Sequence, residues 1–136
     1  MSSFIALRTD GKLQWQGLTA ALTAGHRYHV ACQSGPSGSA IYLTDITASG
    51  SGTLVASNST ALTALPSAQD YGIRVLNPST GALTQAGATI DEITLWDYLR
   101  YSGSTYTAPT APFTGMEPGI AALYHLDSNC AESVVN

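Results

Sequence analysis

Lysine and glutamate are nearly missing from this chain of 136 residues: Lys12 is its only lysine, three positions are glutamate, and charged residues make up 10% of the whole. Surface helices are normally filled with Glu, Lys, Arg and Gln, so an ordinary helical bundle would have no material for its solvent faces. Five cations stand against nine acids, a net charge of -4, which removes the basic stripe that phosphate-neutralising nucleic-acid binding requires. No run approaches the ~20 consecutive apolar residues of a membrane span. Neither nucleic acid nor membrane is therefore an expected partner. The opening MSSFIALRTD has no charged region followed by a long apolar stretch, so no export signal is expected. Cysteine is scarce as well. Cys32 and Cys130 are far apart, with no CxxC pair and no metal-ligand spacing around them, and are expected as free, mostly buried thiols rather than a bridge.

What the chain has instead is small side chains. Ala, Ser, Thr and Gly supply 63 of the 136 residues, beside two Trp, seven Tyr and two Phe in a composition that is 44% hydrophobic. Disorder needs low hydrophobicity with high net charge, so it is excluded. The remaining class is an all-β protein with Ser/Thr/Gly-rich turns, of a length for a single domain over residues 1–136.

Short alternating segments run along the chain. Phe4 and Ala6, then Leu13 and Trp15, recur two apart around an Asp10-Gly11 pair, which predicts a tight hairpin. Residues 22–25 are turn-like. Tyr28, Val30 and Cys32 alternate with His29, Ala31 and Gln33, and apolar or amphipathic groups on both faces predict a central strand. Further strands are expected at SAIYLTDI, with Ile41 and Leu43 opposite Tyr42, at TLVASN after the ASGSG tract, and at YGIRVL over 71–76, before a turn at 77–81. Residues 90–96 alternate as a strand. Pro109, Pro112 and Pro118 predict an extended, non-helical excursion over 106–118, and GIAALYHLD a closing strand. Seven to nine short strands at this spacing indicate a sandwich or barrel, and no internal repeat suggests a solenoid.

The order of these segments resembles the concanavalin-A-like, laminin-G-like jelly rolls. The residues that carry the resemblance are Leu22, Gly25, Tyr28, His29, Val30 and Ala31, then Tyr42 and Leu43, then Ile90, Asp91, Glu92 and Ile93. The stretch LWDYLRYSGSTYTAPTAPFTGMEPGIAALYHLDS is similar to the version in phage virion proteins, where a Trp-Asp-x-x-Arg-Tyr strand end leads through a Pro-rich segment into a Leu-Tyr-His-Leu-Asp strand. The resemblance implies an antiparallel jelly-roll β-sandwich and a place in a virion, assembled in the host cytoplasm. It also allows a calcium site, with Asp91 the candidate ligand. Two departures stand out. The opening strands of the family are absent, so the sandwich should be shortened or completed by a partner, since an open edge invites pairing. Thr44-Asp45-Ile46 stands where the family has an Asp-Gly hairpin, so that loop should differ.

No catalytic constellation is legible. Asp91 and Glu92 are adjacent and point to opposite faces of a strand, so they cannot act as an acid and base pair. Asp91 is expected to bind backbone amides of a neighbouring loop. Asp10, Asp45, Asp70 and Asp127 are scattered oxygen donors. His26, His29 and His125 come without a Gly-x-Ser-x-Gly elbow, and no pair of carboxylates is spaced for glycoside hydrolysis. The aromatics remain. Trp15, Trp96, Tyr98, Tyr101 and Tyr106 have the flat apolar faces and polar tips that suit sugar stacking and protein interfaces, with Tyr101 and Tyr106 expected to be the more exposed. Packing is the competing role, with Trp96 beneath the Pro-rich excursion and Trp15 over a sheet end. The excursion, through Pro109, Pro112, Phe113 and Pro118, could lie across a neighbouring subunit as an assembly arm, pinned by a carboxylate or carbonyl contact of Arg100. The expectation is a non-catalytic structural or adhesive virion component, a capsid decoration or cement protein or a tail module. Its partners would be its own chain in a homotrimer and other capsid or tail proteins. A lectin-like module binding surface glycans is the competing class, and a remnant glycan-active enzyme a third.

Overall fold

A computed structural model describes residues 4–8, 10–60, 74–75 and 89–126, and these contain ten strands and no helix. They are β1 (Phe4–Leu7), β2 (Lys12–Trp15), β3 (Leu18–Ala21), β4 (Tyr28–Gly35), β5 (Gly38–Asp45), β6 (Gly52–Asn58), β7 (Arg74–Val75), β8 (Glu92–Trp96), β9 (Thr105–Tyr106) and β10 (Ile120–His125). The protein is all-β. Its ladders are antiparallel apart from the short parallel pairing of β7 with β1. Of the expected strand at 71–76 only β7 lies among the described residues; the turn at 77–81, Asp70, Asp127 and Cys130 lie outside them.

The chain divides into two compact units, one spanning 1–86 and 102–108, the other 87–101 and 109–136. The first unit holds two four-stranded sheets, in the orders β3-β2-β1-β7 and β4-β5-β6-β9. Its hairpins follow from local chemistry. Between β1 and β2, Arg8 N–H donates to the Lys12 carbonyl at 2.8 Å, while Gly11 takes φ 76°. This turn sets Leu7 opposite Leu13 and Ile5 opposite Trp15. The β2–β3 turn places Gln16 and Gly17 at φ 47° and 78°. Positive φ at both central residues matches the right-handed twist of a two-residue hairpin, and the Gln-Gly pair is not one of the usual sequence signals for such a turn. Gly38, after the Pro36-Ser37 turn, has φ 127°, and a Cβ there would run into the Asn58 carbonyl.

The core of this unit collects one face from each sheet. Leu13, Trp15 and Ala20 meet Ile41, with Ile5, Leu18, Leu22, Val30, Cys32 and Ala56 packed around them. Two sheets sharing one apolar interior are consistent with a β-sandwich. One expectation is corrected here. Among the described residues strand β4 is not central but lies at the end of its sheet; β5 and β6 are the inner strands, and β5 carries Ile41 at 0% and Tyr42 at 3% exposure. Residues 28–34 are all half-buried, because His29, Tyr28 and Gln33 are long amphipathic groups that partly cover an edge; the sequence pattern could not distinguish that from burial on both sides.

The second unit is built on the ribbon of β8 and β10, registered from Glu92 opposite His125 to Trp96 opposite Ile120, with an irregularity between Ile120 and Ala122. Ile120, Ala122 and Leu123 are buried. The ribbon is closed by Asp97 N–H donating to the Gly119 carbonyl at 3.1 Å and Leu126 N–H to the Asp91 carbonyl at 2.9 Å.

Candidate binding surface

The five aromatic candidates separate into three settings. Trp15 belongs to the core, 8% exposed, with its indole N–H donating to the Gln33 carbonyl at 3.2 Å. Alternation along β2 puts it on the face of Leu13, and that was the signal for its position.

Tyr106 is bound into the first unit rather than exposed. Strand β9 pairs with β6, Gly52 opposite Tyr106, and Leu54 N–H donates to the Ser104 carbonyl at 2.9 Å. The Tyr106 hydroxyl accepts from Thr44 Oγ1 at 2.8 Å and lies 2.8 Å from His29 Nδ1. The Tyr42 hydroxyl donates to the Gly103 carbonyl at 3.2 Å, and its ring meets that of Tyr106 edge-on at 5.5 Å. Gly52 is required beneath this ring, since a Cβ would stand 2.6 Å from ring carbons. His29 thus serves as a fastener for residues 102–108, a role that no local sequence signal could disclose across so long a separation.

Trp96, Tyr98, Arg100, Tyr101 and Phe113 gather in the second unit. Trp96 meets Tyr98 and Phe113 edge-on at 5.8 and 5.4 Å. The Arg100 guanidinium carbon lies 4.1 Å from the Trp96 ring centre, 4.6 Å from Phe113 and 5.4 Å from Tyr101. Arg100 therefore holds the Pro-rich segment by cation–π contact, in place of the expected carboxylate or carbonyl contact; aromatic rings suit its weakly hydrated cation. Tyr101 is half-buried, and burial pushes its phenol up against the opposing charge of Arg100. The exposed ring is that of Tyr98, 51% accessible, not Tyr101 or Tyr106. It rests over Gly119, where a Cβ would collide with it.

The segment after β9 uses part of its length within the protomer. Phe113 packs on Trp96, and its N–H donates to Glu92 Oε1 at 3.4 Å. Glu92 Oε2 faces His125 Nδ1 at 3.1 Å. The amide contact expected of Asp91 is thus made by its neighbour, while Asp91 itself is exposed and contributes its main-chain carbonyl. Glu117 accepts from Thr114 N–H at 2.9 Å and from its hydroxyl at 3.0 Å, and the Thr114 amide hydrogen bond holds the Glu117 carboxyl below the usual range despite partial burial. The turn so fixed presents Met116 at 89% exposure, with Pro112 and Pro118 also exposed. Pro109 is half-buried.

Among the described residues, no three His, Cys, Asp or Glu side chains gather as they would around a metal ion. Cys32 is a free thiol. No protein-family model, curated protein or solved structure matches the chain.

Proposed function

We propose that the chain is a non-catalytic structural and adhesive module of a phage virion. It would be a jelly-roll β-sandwich of the concanavalin-A-like, laminin-G-like kind, acting as a capsid decoration or cement protein or within a tail, and assembling as a homotrimer. The virion context rests on the sequence resemblance. The single observation that supports docking is physical: Met116 is almost fully exposed on a turn locked by Glu117, and Leu99 and Tyr98 of the same unit are 49% and 51% exposed. An ordered turn that holds a thioether in water gives up little entropy when a partner covers it. The test is solution mass by light scattering with and without calcium. A species of three times the 14.1 kDa protomer, indifferent to calcium, supports the reading; a monomer at every concentration overturns the trimer.

A second reading, a lectin-like module for surface glycans, is favoured by the half-exposed Tyr98 ring, which meets the same Trp96 that Arg100 contacts. A glycan ligand would raise the melting temperature by mass action. Silence across a broad glycan panel would dismiss it.

A further inference from the structure

We propose that Arg100 anchors a carboxylate-binding subsite whose ligand is an acidic sugar, a uronate or sialate residue of a glycan; this rests on the lectin reading above and deepens it. A guanidinium carries five N–H donors in a planar fork and accepts nothing. The Arg100 guanidinium carbon lies 4.1 to 5.4 Å from the ring centres of Trp96, Phe113 and Tyr101, and among the described residues it forms no ion pair and donates no hydrogen bond. Two carboxylates of the same unit are engaged by other groups: Glu92 faces His125 and the Phe113 amide, and Glu117 caps the Thr114 turn through Oε1.

The guanidinium is therefore held among three rings, with no donor engaged by the described residues. Most surface arginines must be ordered before they can clasp a carboxylate with two parallel hydrogen bonds. This one is ordered already by its rings. The same Trp96 also supports Tyr98, whose ring is backed by Gly119 and open to solvent over about half its surface. A pyranose carrying a carboxylate matches that pair: the sugar ring lies on Tyr98 while its carboxylate meets Arg100. An acidic peptide side chain would use the fork and have no need of the ring.

The experiment is calorimetric titration of the full chain with glucuronate- and sialate-terminated oligosaccharides, their carboxamide counterparts, neutral oligosaccharides and a Glu-rich peptide. The expected result is binding of an acidic oligosaccharide, weakened roughly tenfold or more when its carboxylate is converted to the amide. That comparison uses the unaltered chain and does not depend on a variant folding. Arg100→Lys, which keeps the charge and loses the fork, should weaken the acidic ligand by a similar factor, and Tyr98→Ala should weaken acidic and neutral forms alike. Equal binding of acid and amide forms, or of neutral sugars alone, overturns the subsite and leaves the lectin reading standing. Binding of no sugar overturns both, and binding of the peptide alone overturns the assignment to a sugar.

Discussion

Replacing Tyr106 by Phe removes one oxygen and leaves the ring contacts with His29 and Tyr42, both at 5.5 Å between centres, in place. The hydroxyl is the point at which β4, β5 and β9 are tied together, 2.8 Å from both Thr44 Oγ1 and His29 Nδ1. Thr44 is buried at 7% exposure, so its stranded hydroxyl should cost about 1–3 kcal/mol. His29 is half-buried and can turn partly to water, adding about 0.5–1 kcal/mol. The variant should lose about 1.5–4 kcal/mol from a total of about 5–15 kcal/mol, which lowers the melting temperature by roughly 10 °C for a chain of this length. Urea and thermal unfolding followed by circular dichroism measure this. Thr44→Val in the same background removes the donor together with its acceptor, so the double variant should be less destabilised than the two singles combined by about 1 kcal/mol. A Tyr106→Phe protein within about 0.5 kcal/mol of wild type, or strictly additive singles, would refute the fastener.

Gly52→Ala sets a Cβ 2.5 Å from the Tyr106 carbonyl and 2.6 Å from its ring, and should cost about 1–3 kcal/mol by overpacking, read by the same unfolding curves. Burial pushes the Cys32 thiol up to about 12. Only about one part in ten thousand is then thiolate at pH 8, so mass spectrometry should find Cys32 unalkylated in the native chain and modified after denaturation. Burial raises the Asp45 carboxyl, yet the Ala48 amide and His26, 2.7 Å away, outweigh it and hold it below its ordinary value. A carboxyl depressed on folding stabilises the native state above its unfolded pKa near 4, and that stabilisation is lost as pH falls through the folded value. Asp45→Asn should therefore flatten the acid limb of the stability profile, measured by urea unfolding between pH 6 and the acid range.

Much of the fold was legible where chemistry is local. The Asp10-Gly11 turn, the alternation of β8 and the return of β10 all lie in short windows in which turn residues and period-two patterning suffice. The second hairpin was missed because Gln16 supplies a positive φ that is normally the province of glycine or asparagine. Strand β4 was misplaced because half-buried amphipathic side chains imitate a strand covered on both faces. The site was harder to read. Tyr106 and Trp15 share the composition of ligand-binding aromatics, and only long-range pairing, β9 with β6 and β2 with its core, separates them from Tyr98. Arg100 does meet the Pro-rich segment, but its contact with two rings depends on Phe113 returning to Trp96, which no spacing encodes.

The proposed trimer depends on the exposed apolar groups of the second unit as its assembly contacts. Leu99→Asp with Met116→Asp replaces two exposed side chains without touching the core, and light scattering of this double variant beside the wild type tests the claim most directly. A trimer is expected for the wild type and a monomer of unchanged secondary structure for the variant. A variant that assembles as the wild type does would contradict it.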